Sequence, residues 1–134
     1  MGHSYNNGLH TSSKGITVDA VRIVGLNGTT PTVEEDCKSG LVASVSKAVT
    51  GTVILQLSVP YPPKNVIAIA SMSNLNGTTD LVHAQVKQDG YDATTGRLTI
   101  YLMNDDDSGA PVLVDGPTAT AELHVLMMYN RYTN

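Results

Sequence analysis

Four groups of residues in this chain have side chains that do chemistry elsewhere, and their spacing decides whether they do so here. His83 and His124 each sit in a stretch of alternating polarity, "LVHAQVKQ" and "AELHVLMMYN", on the side opposite the apolar residues. Two histidines with a carboxylate could hold a metal ion or exchange a proton. No short spacing ties this pair together, and a histidine on the solvent face of a strand needs no such role. The acidic run "NDDDSG" places Asp105 and Asp107 as the first and third residues of a calcium-type loop. Such a loop requires glycine at its sixth position and a bidentate glutamate at its twelfth. Those positions hold Ala110 and Gly116, so the pattern fails and a solvated loop is expected.

Cys37 is the chain's single cysteine and stands in a polar stretch, which makes it an inert thiol rather than a nucleophile. Neither a Gly-x-Ser-x-Gly elbow nor a phosphate-binding loop occurs. Tyr61, Tyr91, Tyr101, Tyr129 and Tyr132 could stack on sugars, but they show no repeat or cluster in sequence. No catalytic, cofactor-binding or metal-binding residue is assigned, no cofactor is expected, and the chain is read as a non-enzyme.

The elements around these residues are strands. "ITVDAVRIVGL" is β-branched and ends at "NGTT". "LVASVSKAV" and "TVILQLSV" flank Thr50 and Gly51 as the arms of a tight hairpin. In the second arm Val53, Leu55, Leu57 and Val59 share one face. "PYPP" at 60–63 then breaks the ladder. "NVIAIASM" is almost wholly apolar, which predicts a strand covered on both faces. Alternation follows in Val82, Ala84 and Val86, then in Leu98, Ile100 and Leu102, with "DGYDATTG" as the turn between. A long loop over 104–117 precedes a last strand whose inward face is Ala121, Leu123, Val125 and Met127. Helical periodicity is confined to one or two turns in "TVEEDCKSG". Seven or eight short strands at this spacing predict an all-β fold, an antiparallel β-sandwich or jelly roll. Residues 1–14, rich in Ser, Asn, Gly and His, are expected to be a flexible arm on a single domain over 15–134.

The pentapeptide Leu-Asn-Gly-Thr-Thr occurs twice, around Asn27 and Asn76. Its flanks do not match, so it is not a duplication. Both copies fall where a strand stops, which identifies a turn device, because Asn-Gly tolerates positive φ. With a polar N-terminus and no secretory leader, the two sequons are read as coincidental.

The 134 residues suffice for one real core, which must be built without Phe or Trp. Only 15% are charged, and the net charge of −4 with eight scattered Lys and Arg excludes a nucleic-acid stripe. No apolar run is long enough for a membrane span.

The order of features resembles a family. A polar arm leads to "VRIVGLNG", then to "SKAVTGTVILQLSVPYP", "NVIAIASM", "YDATTGRLTIYLM", an acidic Gly/Pro loop and "AELHVLMMYNR". Over roughly residues 16–131 this is similar to the small β-sandwich structural proteins of tailed phages, in particular capsid decoration or cement proteins. The resemblance implies a protein made in the host cytoplasm and carried on the virion. It would bind the major capsid protein on the outer shell, often as a trimer, and resist internal DNA pressure through many modest contacts. On that expectation the contact elements are the arm and the 104–117 loop, with Tyr5, Leu9, His10, Asp105, Asp107, Val112 and Val114 as interface residues. A tail, baseplate or fibre-associated sandwich and a carbohydrate-binding module are the alternatives.

Overall fold

A computed structural model describes residues 9–10, 16–28, 30–58, 62–75, 82–105 and 111–130. Ten strands run in chain order: β1 Leu9–His10, β2 Ile16–Val24, β3 Thr32–Val33, β4 Val42–Val49, β5 Thr52–Leu57, β6 Val66–Ser73, β7 His83–Asp92, β8 Arg97–Asp105, β9 Pro111–Leu113 and β10 Glu122–Asn130. They form two antiparallel sheets, so the sandwich expected from strand spacing is the fold. Sheet A has the order β1-β2-β10-β6, with β3 also on β2. Sheet B has the order β4-β5-β8-β7, with β9 also on β8. The hairpins β4–β5 and β7–β8 lie in one sheet, while β2, β6 and β10 come together in the other from distant parts of the chain.

Alternation aims one face of each sheet at the other. Val21 and Ile23 of β2 meet Leu123, Val125 and Met127 of β10, and Val53, Leu55, Leu57, Leu98, Ile100 and Leu102 approach from sheet B, all at 3% exposure or less. Burying each such side chain contributes about 1.5–3 kcal/mol. The inward faces read from sequence for β5, β7, β8 and β10 hold among the described residues, with Val82, Ala84 and Val86 on or against this cluster.

Three expectations change. First, Asn27-Gly28 does turn the chain, but the positive φ belongs to Gly25 at 73°, and Gly28 N–H donates to Gly25 O at 3.3 Å. The tight turn therefore closes one step earlier than the Asn-Gly pair. The second copy, around Asn76, lies outside the described residues. Second, the first half of "DGYDATTG" is strand. β7 carries a register shift between Val86 and Tyr91, and the turn itself is Ala93–Gly96, where Asp92 caps Thr94 and Thr95. Third, the 104–117 loop contains β9, which lies along the end of β8. The hairpin glycine makes room for it. Gly51 has φ 68°, and a Cβ there would stand 2.7 Å from Val114 N and 2.8 Å from Leu102 O. The short helical reading survives as one 3-10 turn, Glu35–Cys37.

Two carboxylates pin the connections. Asp19 is 4% exposed on the inward side of β2, where it accepts from Ser39 Oγ at 2.5 Å, Ala20 N at 2.9 Å and Tyr129 OH at 3.4 Å. Ser39 Oγ in turn accepts from Leu41 N, fixing the start of β4. Burial pushes the Asp19 carboxyl above its ordinary value despite these donors. Asp115 behaves oppositely. Burial pushes it up, but Lys47 Nζ at 2.6 Å and Gly51 N–H at 3.0 Å outweigh that and hold it below its ordinary value.

The two groups give opposite pH signatures. Asp19, raised in the fold, contributes stability that is full below about pH 3.8 and is lost as pH rises through the folded value. Asp115, lowered in the fold, contributes stability above about pH 3.8 that is lost as pH falls through its folded value. Urea unfolding of Asp19→Asn across pH 3–7 is expected to show the variant gaining on the parent as pH rises, and Asp115→Asn losing ground over the same range. Gly51→Ala is expected to cost about 2 kcal/mol or more, from the strained φ and the displaced β9.

Candidate functional site: the outer face of sheet A

The two outer faces of the sandwich differ in kind. Sheet B turns Ser44, Ser46, Gln56, Thr99, Arg97, His83 and Gln85 outward, interrupted by Tyr101, Ile54, Met103 and Leu113, a largely polar face. Sheet A turns a mixed face outward, in two halves. Alternation on β10 explains the first half. With Val125, Met127 and Tyr129 inward, Leu126 and Met128 must point out. Leu126 stands opposite Ile69 of β6 and Ala20 of β2, and Met128 opposite Ile67 and Val18. Ile67 and Ile69 are 67% and 65% exposed, and Leu126 and Met128 are 44% and 40%. Four large apolar side chains thus lie side by side, uncovered by the other described residues and joined by Val18 and Ala20.

This is where the sequence reading of β6 fails. "NVIAIASM" was expected to be covered on both faces. Only Val66, Ala68, Ala70 and Met72 pack on the core, and nothing among the described residues covers Ile67 and Ile69. A scattered exposed isoleucine needs no explanation, but a contiguous patch marks a contact surface.

The second half of the face is polar. His124 stands opposite Arg22 on β2 and Ser71 on β6. Ser73 Oγ lies 2.7 Å from His124 Nε2, and Glu122 Oε2 lies 3.3 Å from the same nitrogen. Serine, histidine and glutamate in contact resemble a hydrolytic triad, and the geometry tests that. A triad needs serine on one ring nitrogen and carboxylate on the other, so that the acid fixes the tautomer that accepts the serine proton. Here both oxygens share Nε2. The trio is a polar clasp between β6 and β10 that lacks the serine–imidazole–carboxylate order of a triad. Arg22 adds an ion pair to Asp36 at 2.5 Å and a longer one to Glu34 at 3.8 Å, which ties the 3-10 segment against β2. Its buried Nε has no partner among the described residues.

The residues singled out by sequence do not converge. His83 belongs to sheet B and His124 to sheet A, on opposite outer surfaces, so they cannot share a ligand. Among the described residues no three of His, Cys, Asp and Glu come together as a metal site. Cys37 is half-buried in the 3-10 turn. The described tyrosines also separate: Tyr129 is buried against Asp19, Tyr91 donates to Pro63 O, and Tyr101 lies half-buried on the outer face of sheet B. Of the expected interface residues, Val112 on β9 is 40% exposed beside Leu113 at 38%, while Val114 is half-buried against the core. The backbones of Leu9, His10 and Asp105 belong to β1 and β8. Tyr5 and Asp107 lie outside the described residues.

The surface residues Ile67, Ile69, Leu126 and Met128 went unassigned in the sequence reading. Their signal was present: once Val125 and Met127 are inward, "LMM" leaves apolar residues on the other side. The chain matches no protein-family model, no curated protein and no solved structure.

The two faces of β10 are expected to respond differently to substitution. Leu126→Ser with Met128→Ser should keep urea stability within about 0.5 kcal/mol per site. Leu123→Ala, on the buried face of the same strand, should cost about 2–5 kcal/mol. Equal losses on both faces would show that the outer patch is covered within the chain itself.

Proposed function

We propose that this chain is a non-enzymatic structural protein that binds, through the outer face of sheet A, to a regular array of another protein. The observation that carries the reading is the contiguous exposure of Ile67, Ile69, Leu126 and Met128 beside a polar margin of Arg22, Glu122 and His124. An apolar centre with a polar rim is the common anatomy of a protein–protein contact. Its companion face on sheet B is the more polar of the two, with its apolar residues interspersed among Ser, Thr, Gln, Arg and His.

The resemblance to capsid decoration proteins supplies the partner: the major capsid protein on the outside of a phage shell. A patch of this size suits a modest single contact, and repetition over a shell turns modest contacts into large total stabilisation. Val112 and Leu113, with the exposed Val49 at the β4–β5 end, provide a second, smaller apolar area for a neighbouring subunit.

Quantitative peptide mass spectrometry on purified particles, counting this chain against the shell protein, tests the reading. A fixed ratio amounting to hundreds of copies supports it. About a dozen copies would move the protein to the tail or baseplate. Absence from particles overturns the virion reading. Leu126→Glu with Met128→Glu should cut occupancy by roughly tenfold or more while the domain stays folded, since charges are excluded from the centre of such contacts.

A further inference from the structure

Each sandwich has free sheet edges, and an exposed edge is a template for another strand unless something blunts it. Three of the edges here are blunted. The free side of β2 carries β1 and β3. β4 has two register shifts, at Val42/Ser44 and at Lys47/Val49, and a lysine within it. β7 has its own shift between Val86 and Tyr91, with Lys87 inside and Asp89 at φ 53°.

β6 has none of these devices. Its eight residues keep an unbroken register with β10 from Val66 to Ser73. No charged residue and no proline interrupt it. Among the described residues no backbone hydrogen bond reaches its free side, and β7, its neighbour in the facing sheet, forms no ladder with it. The two most exposed large apolar side chains of the described chain, Ile67 and Ile69, stand on this strand.

We infer that β6 is a self-pairing edge: a second copy of this chain joins it antiparallel about a two-fold axis beside Ala68, continuing sheet A across both molecules. The outward residues choose this occupant. Asn65, Ile67, Ile69 and Ser71 read polar, apolar, apolar, polar in either direction. Antiparallel pairing of identical strands therefore sets Ile67 opposite Ile69 of the second copy, and Asn65 opposite its Ser71. Such directly opposed apolar pairs are the unit of sheet stabilisation.

Pairing about this axis is isologous, so each contact is made twice by the same residues. The backbone edges are consumed and the outer face is not. The apolar patch is instead doubled into one continuous surface spanning β10 and β6 of both copies. A two-fold pair differs from the trimer implied by the resemblance. It is also separable from shell binding: a monomer in solution would leave the shell reading standing, and absence from particles would leave the pair standing.

Sedimentation equilibrium of the full chain decides it, alongside the variant Ile67→Lys/Ile69→Lys. Those side chains are exposed, so the variant should keep its unfolding midpoint. It sets lysine opposite lysine across the axis, which should weaken association roughly tenfold or more. The expected result is a parent species of twice 14.1 kDa and a monomeric variant. A cysteine pair fixes the register: in a Cys37→Ser background, Ile67→Cys/Ile69→Cys should cross-link two chains on oxidation, and Ile67→Cys alone should not. Directly opposed strand residues lie about 4.5–5.5 Å apart, within disulfide reach. A monomeric or trimeric parent, a lysine variant that still pairs, or a double-cysteine variant that does not cross-link would each overturn the assignment.

Discussion

Everything in this molecule depends on one packed layer: the inward side chains of β2 and β10 against those of β5 and β8. With no α-helix and no third sheet among the described residues, each strand has a single face to bury. A strand with apolar residues on both faces must then leave one of them in water. β6 and the middle of β10 do so, and the outer patch of sheet A is the direct consequence. The same layer is assembled mostly from aliphatic residues and methionine, with Tyr129 as its buried aromatic, since the chain has no Phe or Trp. That makes its strength a matter of close packing between small, stiff side chains, where lost volume is not easily refilled.

Polar groups hold the ends of this layer, and they hold it unequally. Asp19 lies deep on β2 and reaches across to Ser39, joining sheet A to the entry of β4 in sheet B. The join has a cost, because a buried carboxylate is desolvated and its pKa rises. Asp115 lies near the rim, where Lys47 and the Gly51 N–H compensate it and Lys47 also donates to Gly28 O. One loop side chain thus gathers the β4–β5 hairpin and the turn after β2. A half-buried ion pair with a backbone donor is the sounder construction of the two. The deep Asp19 cluster is better understood as a device that fixes where β4 begins than as a source of net stability.

The sequence made the buried half of the fold legible and the exposed half much less so. Period-two alternation identified the inward residues of β5, β7, β8 and β10, because burial and alternation are the same signal in a sandwich. Turn chemistry located the hairpin at Gly51 and the stop near Asn27, but not the conformations, which depend on neighbours such as Gly25. β9 was invisible: three residues held by the end of β8 and by the space above Gly51 have no periodicity of their own. Asp19 gave no warning either, since its partners Ser39 and Tyr129 are 20 and 110 positions away. β6 misled outright. A continuous apolar run is the mark of a doubly covered strand. Whether a second cover exists is a fact about layers, which one strand's sequence does not carry.

That failure is itself informative about function. Local rules tend to break where a protein does something other than fold, because the cost of an unfavourable surface is kept only when another contact repays it. Ile67 and Ile69 contribute little to this chain's own core, and serine or threonine would sit there with less risk of aggregation. A free, regular, uncharged edge beside them compounds that risk, and the same molecule blunts its other edges with bulges and lysines. Both liabilities are concentrated on one strand, while a polar clasp and the Arg22 ion pairs order the rest of that face.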